Sequence, residues 1–295
     1  MKHYAKQEEL KQDKHQSTPN LMGAKRLFLR CVWPIYTRIS ALAEVVGALP
    51  DPVLVYQMSK VGSSSVERTL TRAGIPHVHV HFIAPASWEE TARWHAKNDQ
   101  TLPPHFHKGR LLRYWINWTE RQVRVVTLVR DPIARHVSGA FEVAHHTGFP
   151  KENKSKALQA LGNQLRAKDV LDYPYTWFDR EIAPVFGVDV LDHPFNRKEG
   201  YGRIKTENVD LLILTLERLS DLVPTVLSDF VGTSLELKKA RIRTDEVYKR
   251  VKEQLTLSES NVRRLYDHPW MRHFYAEQDI ERFVRRWTET HPHHS

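Results

Sequence analysis

The amino-acid sequence predicts an α/β fold: a parallel β-sheet flanked by helices, followed by a helical C-terminal region. Three observations carry this. Short β-branched apolar runs (VLVYQM, QVRVVTLV, LLILTLERL) recur along the chain, separated by segments with helical apolar spacing. Strands that alternate with helices need crossover connections, and these build parallel sheets covered on both faces. The composition, 41% hydrophobic and 27% charged over 295 residues, is that of a globular chain long enough to bury a real core.

Residues 1–20 are polar and charged without an apolar centre, so they read as a disordered arm and not as a secretory signal. Residues 21–49 hold the one long apolar stretch. Lys25, Arg26, Arg30, Arg38 and Glu44 interrupt it before it reaches the length of a membrane span. It reads as one or two amphipathic helices around Pro34, packed on the domain, with a basic face that could rest on an anionic membrane surface.

From residue 50 the pattern changes. VLVYQM is a strand, and VERTLTRAG is a helix ending at Gly74. PHVHVHFIAP alternates strictly, as a second strand does. Residues 86–121 are rich in Trp and Arg and partly helical. QVRVVTLV is the third strand, with IARHVSGAFEVAHH a helix behind it. A polar lysine-rich stretch follows, then WFDREIAPVFG as a helix and LLILTLERL as a strand. The last eighty or so residues are amphipathic helix, through Val247, Val251 and Leu255 to Phe283 and Trp287. No repeat or linker divides 50–290, which reads as one domain.

With 44 Lys plus Arg against 35 Asp plus Glu, the formal charge is +9. Dispersed, such charge keeps a protein soluble; gathered in a cleft, it binds phosphate or sulfate. The single cysteine, Cys31, excludes an intramolecular disulfide framework and a cysteine-rich zinc site.

Two loops carry chemistry. VLVYQMSKVGSSSVERTL is strand, loop, helix, and presents unpaired N–H groups and a positive helix end to whatever lies in front. Gly62 permits close backbone approach, Ser63, Ser64 and Ser65 add hydroxyls, and Lys60 adds a mobile cation. The lysine precedes the glycine, so this is neither the Walker loop nor the dinucleotide-binding glycine fingerprint. In QVRVVTLVRDPIARHVSGAFE, Asp131 is an N-cap, Pro132 suits the first helical turn, Arg130 leaves the strand end, and Arg135 and Ser138 lie one and two turns on. Two anion-gripping loops on one sheet imply a ligand with phosphates at both ends.

With both loops in view, the chain resembles the sulfotransferases that use 3′-phosphoadenosine-5′-phosphosulfate. In that superfamily a strand–loop–helix with lysine and Gly/Ser/Thr binds the 5′-phosphosulfate, and Lys60-Val61-Gly62-Ser63-Ser64-Ser65 is similar to it. A later Arg-Asp-Pro with a helical serine eight residues on binds the 3′-phosphate, matched by Arg130-Asp131-Pro132 and Ser138. The wording YQMSKVGSSS, HVHF, FDREIAPVFGVDV and LLILTLERL is similar to capsular polysaccharide synthesis proteins, a bacterial sulfotransferase-like branch, from about Pro52 to Trp287. The resemblance implies a P-loop-like sulfotransferase fold. It implies transfer of a sulfuryl group from 3′-phosphoadenosine-5′-phosphosulfate to a carbohydrate hydroxyl, with 3′-phosphoadenosine-5′-phosphate as product and no metal.

Such a transfer needs cationic stabilisation of the leaving oxygen and a base for the attacking hydroxyl. Lys60 suits the first role. For the base, an HxH pair before the Arg-Asp-Pro strand in uronic-acid sulfotransferases points by analogy to His107 or His105. Proximity to the first loop points instead to His81 or His79. His77, His79 and His81 alternate onto one strand face, which also suits zinc, though no acidic partner stands nearby in the sequence. Arg93, Arg110 and Arg113 with Trp88, Trp94, Trp115 and Trp118 lie between the loops and suit an acidic saccharide, with Arg110, Arg113 and Trp115 the expected acceptor contacts. Core packing accounts for at least two of these tryptophans. The acceptor is expected to be an acidic or neutral saccharide, with no nucleic-acid partner. The expected location is the cytoplasm, with peripheral membrane contact through 21–49. Alternatives are a nucleotide-dependent kinase or glycosyltransferase of polysaccharide synthesis, or a non-catalytic polyanion- or membrane-binding protein.

Overall fold

The computed structural model describes residues 33–97, 102–238 and 246–289. The expected polar arm, residues 21–32 and Cys31 lie outside the described residues.

Helix α1 (Trp33–Ala48) leads into β1 (Val53–Tyr56), α2 (Ser63–Arg72) and β2 (His77–Val80). Helices α3 (Pro85–Lys97) and α4 (Pro104–Trp118) precede β3 (Val123–Val129) and α5 (Pro132–Glu142). The lysine-rich stretch forms α6 (Lys154–Gln164), capped by Asn153, whose side chain accepts from the Lys156 N–H. Residues 172–186 are helical throughout, with a π-helical turn at Phe178–Ile182. Strands β4 (Tyr201–Lys205) and β5 (Val209–Thr215) come next. The C-terminal region is helical: α7 (Glu246–Gln254), α8 (Glu259–Tyr266), α9 (Pro269–Phe274) and α10 (Glu277–Thr288).

The five strands lie in the order β2-β1-β3-β5-β4. β1 pairs parallel with β2 and β3, and β3 pairs parallel with β5. The fully parallel sheet expected from sequence is corrected at one edge, where β4 runs antiparallel to β5. YGRIK is short, holds a glycine and alternates polar with apolar residues, so it lacks the continuous apolar run of the inner strands. Arg203 secures this edge with two hydrogen bonds to Asp210 of β5, at 2.8 and 2.7 Å. Every residue of β1 and β5 is buried, as double-sided coverage requires.

From β1 the chain crosses to β2 on one side, and β3 lies on the other. In such sheets the crevice at the carboxyl ends of the diverging strands receives ligands. Both loops singled out in the sequence emerge there, after β1 and after β3.

Two buried carboxylates hold the crevice walls. Glu181, in the π-helical turn, accepts from the Ile83 and Ala84 N–H groups at 2.9 and 3.1 Å, and from Tyr56 and Ser87 hydroxyls, fixing the turn just beyond His81. Burial holds its carboxyl above the ordinary value, and these four bonds counter that only in part. Asp131 caps α5 as expected, accepting from the Ile133 N–H at 2.9 Å. Its carboxylate also receives the Tyr266 hydroxyl at 2.7 Å and the Trp287 indole N–H at 2.8 Å. The C-terminal helices therefore buttress the second loop, and removing the Trp287 indole would leave the buried Asp131 Oδ2 without its donor, whereas Oδ1 would keep the Ile133 N–H if Tyr266 were removed.

α1 is not the amphipathic helix anticipated. Thr37, Ala41, Val45 and Ala48 are buried against the domain, yet the opposite side is aliphatic too. No helix among the described residues is long and apolar enough to cross a membrane.

Candidate functional site

The first loop bends through two left-handed residues, Lys60 (φ 68°) and Gly62 (φ 97°). Gly62 is required twice over. Its backbone lies where side chains are strained, and a Cβ there would run into Leu216. Lys60 carries the strain that a non-glycine pays in this region, of order 1 kcal/mol. The bend delivers the chain to α2, where the Ser65 N–H bonds the Gly62 carbonyl at 3.0 Å and the N–H groups of Ser63 and Ser64 precede the first helical carbonyl they could use.

The second loop braces the first. Arg130 Nη1 donates to the Lys60 carbonyl at 2.7 Å. Arg135 donates to the Ser59 carbonyl at 3.2 Å and to Ser59 Oγ at 3.0 Å, with its guanidinium over the Tyr173 ring at 4.3 Å. Arg135 thus holds the first loop through Nε and Nη2, and it lines a neighbouring cavity, not the one between the loops.

Between the loops lies a cavity of about 660 Å³. Lys60, Gly62, Ser63, Ser64 and Ser65 line one side, and Arg130 and Ser138 another, so the two sequence motifs share one space. Val61 does not line it; its side chain is buried in the core and its part is backbone only. Tyr248 and Lys252, which no sequence motif marked, enter from α7 one turn apart. Burial alone would push the Tyr248 hydroxyl up, but hydrogen bonds with Ser138 and Arg130 and the charges of Arg130 and Lys252 hold it below its ordinary value. Burial and the nearby Arg286 lower Lys252 in turn. Lys60, Lys108, Arg130 and Lys252 face only two carboxylates on this wall, Glu67 and Glu142. Lys60 Nζ lies 3.0 Å from Glu142, and Lys108 Nζ 2.7 Å from Glu44.

Three histidines complete the wall. His79, His81 and His105 form a triangle with ring centroids 4.5–5.1 Å apart. His81 Nδ1 lies 2.9 Å from the Gln57 carbonyl, which can only accept; the proton therefore sits on Nδ1 and Nε2 keeps its lone pair. Burial, then the neighbouring His79, Lys60 and Lys108, lower His81 to about 3. Burial and the charges of His81 and Lys108 lower His105 likewise to about 3. His79 Nδ1 is 3.3 Å from Glu67, whose carboxyl is held below its ordinary value by that hydrogen bond. Among the described residues, no group of three or more His, Cys, Asp or Glu has the arrangement of a metal site.

The remaining candidates lie elsewhere. His77 is turned to the Ile75 carbonyl at 2.8 Å and to Thr71, away from the cavity; the strand ends at Val80, and only His79 and His81 reach the site. His107 is two residues past His105, about 200° round α4, which turns it out of the cavity toward Arg38 and Arg110; burial and those charges lower it. Arg110 is exposed, Arg113 donates to the Val185 carbonyl at 3.4 Å, and Trp115 packs on the core. The expected acceptor contacts are thus not at the cavity, because α4 presents those residues to solvent or to the helical run 172–186. Trp94 and Trp118 are exposed, while Trp88 and Trp115 are half-buried. Glu217 accepts the Asp131 N–H at 2.9 Å and the Tyr275 hydroxyl at 3.1 Å, a structural role.

A second cavity of about 550 Å³ adjoins the first, and Ser59, Lys60, His81, His105 and Glu142 line both. Its own walls include His136, Gly139, Ala140, Thr147, Phe149 and Gln164.

A family model described as "Putative capsular polysaccharide synthesis protein" matches residues 151–276, somewhat less than half of the chain. The matched stretch contains Glu181, β4, β5, Tyr248 and Lys252, and stops short of both loops. No curated protein and no solved structure matches the chain.

Proposed function

We propose that this chain transfers a sulfuryl group from 3′-phosphoadenosine-5′-phosphosulfate to a hydroxyl of a carbohydrate, in the synthesis of a capsular or related polysaccharide. One observation carries the reading. Two cavities meet at Lys60, His81 and His105; one is walled by both anion-binding loops, and the other adds Arg135, whose donors hold Ser59, to largely uncharged walls of Gly139, Ala140, Thr147, Phe149 and Gln164. The family match over residues 151–276 supports the polysaccharide context.

The first cavity fits the donor by chemistry and size. Its volume lies in the range of small-ligand sites. The α2 N-terminus and the serines of Ser63–Ser65 suit the 5′-end, and Arg130, Ser138, Tyr248 and Lys252 suit a phosphate at the other. When bound, the donor supplies the sulfuryl group and a phosphate oxygen as leaving group. Lys60 Nζ neutralises charge that develops on that oxygen, an interaction strongest in the transition state. His81 is the base: its Nδ1–H is tied to Gln57, so Nε2 can take the acceptor's proton as the hydroxyl oxygen bonds to sulfur and the bridging S–O bond breaks. An anionic donor beside it counters the cations that lower His81, making it more basic once the site is filled.

The second cavity suits an uncharged saccharide better than a uronic acid. Its cations are engaged: Lys60 with Glu142, and Arg135 with Ser59 and Tyr173. Burial lowers His136, leaving it neutral. Phe149 offers a ring face to a sugar, and Gln164 and Thr147 offer hydrogen bonds.

Calorimetric titration with 3′-phosphoadenosine-5′-phosphate tests the donor assignment, with one-site binding expected. Absence of binding by the wild-type chain would overturn the proposal, and binding of ATP in preference would favour a kinase. Transfer of labelled sulfate to neutral oligosaccharides tests the acceptor side.

A further inference from the structure

We propose that the outer face of α1 and α4 docks on an anionic lipid bilayer, a reading that stands apart from the chemistry above. Its basis is a surface helix that is apolar on both sides. The face of α1 packed on the domain is supplied by Thr37, Ala41, Val45 and Ala48. On the other side, at spacings of four, three and four, stand Ile35, Ile39, Leu42 and Val46, all about half exposed or more, with Ile39 at 62%. At about 100° per residue the two stripes lie on opposite sides, and the outer one runs for about 16 Å. A helix with aliphatic stripes on opposite sides is stable where both are covered, in a protein core or at a lipid boundary, and this one lies on the surface.

α4 extends the same face. Phe106 and Leu112 point into the protein, whereas Tyr114 and Trp118, one turn apart, are 60% and 85% exposed. The two helices pack together. Arg38 of α1 and Arg110 of α4 both act on the His107 ring, so their outer surfaces lie side by side. An indole left almost wholly in water is costly unless something covers it.

Charge selects the occupant. Between Lys14 and Ala43 the sequence has no Asp or Glu but carries Lys14, Lys25, Arg26, Arg30 and Arg38. Glu44 is turned inward onto Lys108 at 2.7 Å, and Glu120, just past α4, is followed by Arg121. Aliphatic side chains flanked by Tyr, Trp and Arg, without free acids, match the layering of a bilayer surface. Aliphatics enter the acyl boundary, aromatic rings sit at the headgroups, and guanidiniums meet phosphates. The helix lies on the membrane and does not cross it.

Co-sedimentation of the full chain with vesicles tests this, using phosphatidylcholine alone and phosphatidylcholine with a minority of phosphatidylglycerol. Binding is expected to the mixed vesicles and to weaken with salt. Ile39→Gln/Leu42→Gln should reduce partitioning about tenfold and Arg38→Gln/Arg110→Gln several-fold. Trp118→Phe should remove part of the blue shift in tryptophan emission on vesicle addition. These side chains are largely exposed, so circular dichroism should be unchanged, which separates lost docking from lost folding. Undiminished binding by Ile39→Gln/Leu42→Gln would overturn the proposal. So would a wild-type chain that ignores the mixed vesicles, whether it sediments as a monomer or associates with itself through this face. Binding that survives every substitution on the face but is lost on neutralising Lys25, Arg26 and Arg30 would overturn it as well.

Discussion

Arg130 donates to the backbone carbonyl of Lys60 at 2.7 Å, so the residue at the end of β3 holds the residue after β1 in its left-handed conformation. The two loops are therefore one mechanical unit. Arg130→Ala should weaken 3′-phosphoadenosine-5′-phosphate binding by tenfold or more, in line with about 1.5–3 kcal/mol for a charged hydrogen bond. It should also raise amide hydrogen exchange in residues 57–62, which a purely ligand-contacting arginine would leave alone. Calorimetry and exchange on the same sample check both.

Lys60 and Glu142 form a 3.0 Å ion pair that a bound polyanion must compete with. Glu142→Gln should tighten nucleotide binding several-fold, since a partly exposed pair is worth roughly 0.5–1 kcal/mol. Lys60→Gly should leave thermal stability the same or slightly higher, because glycine relieves the strain at φ 68°. It should nevertheless lower sulfate transfer by at least about a hundredfold. Weaker binding by Glu142→Gln would mean that the carboxylate positions the lysine instead of competing for it.

His81 and His105 are both held at about 3, by burial first and by neighbouring positive groups next. In the unfolded chain they take up protons below about 6.5. The unfolded state thus binds more protons between pH 6.5 and 3, so their stability contribution is complete above 6.5 and is lost as pH falls through that window. The loss should reach roughly 1–2 kcal/mol per pH unit for the coupled pair. Melting temperature should fall from pH 6.5 to 4, and less steeply in His105→Asn. In transfer assays His81→Asn should cost about a hundredfold or more in turnover with nucleotide affinity nearly unchanged.

Gly139 lines the second cavity and not the first, and a Cβ on it would meet nothing within 4 Å. Gly139→Leu should project into that cavity and narrow it while gaining up to about 1 kcal/mol of helix propensity. The expected result is an equally stable protein with unchanged nucleotide affinity and transfer reduced tenfold or more. Retained transfer in this variant would move the acceptor to another approach.

Much of this was legible in the residues. The inner strands announced themselves as continuous apolar runs, and the two loops did so as a lysine, glycine and serine turn and an Arg-Asp-Pro N-cap. Such signals are local, since they record what each backbone segment can adopt and which side of it avoids water. β4 escaped notice because a five-residue edge strand with a glycine buries too little to leave a pattern. Arg110, Arg113 and Trp115 were misplaced because lying between two loops in sequence does not mean lying between them in space.

The strand–loop–helix units and the cations they carry follow from local sequence, through burial, capping and left-handed turns within a few residues. The meeting of His79 at the end of β2 and His81 just beyond it with His105 from a helix was set by the tertiary packing, as was the turning away of His107 and the closing of the cavity by Tyr248 and Lys252 from α7. Strand order and crossover packing bring these distant segments together, and periodicity along a chain holds no record of which elements become neighbours.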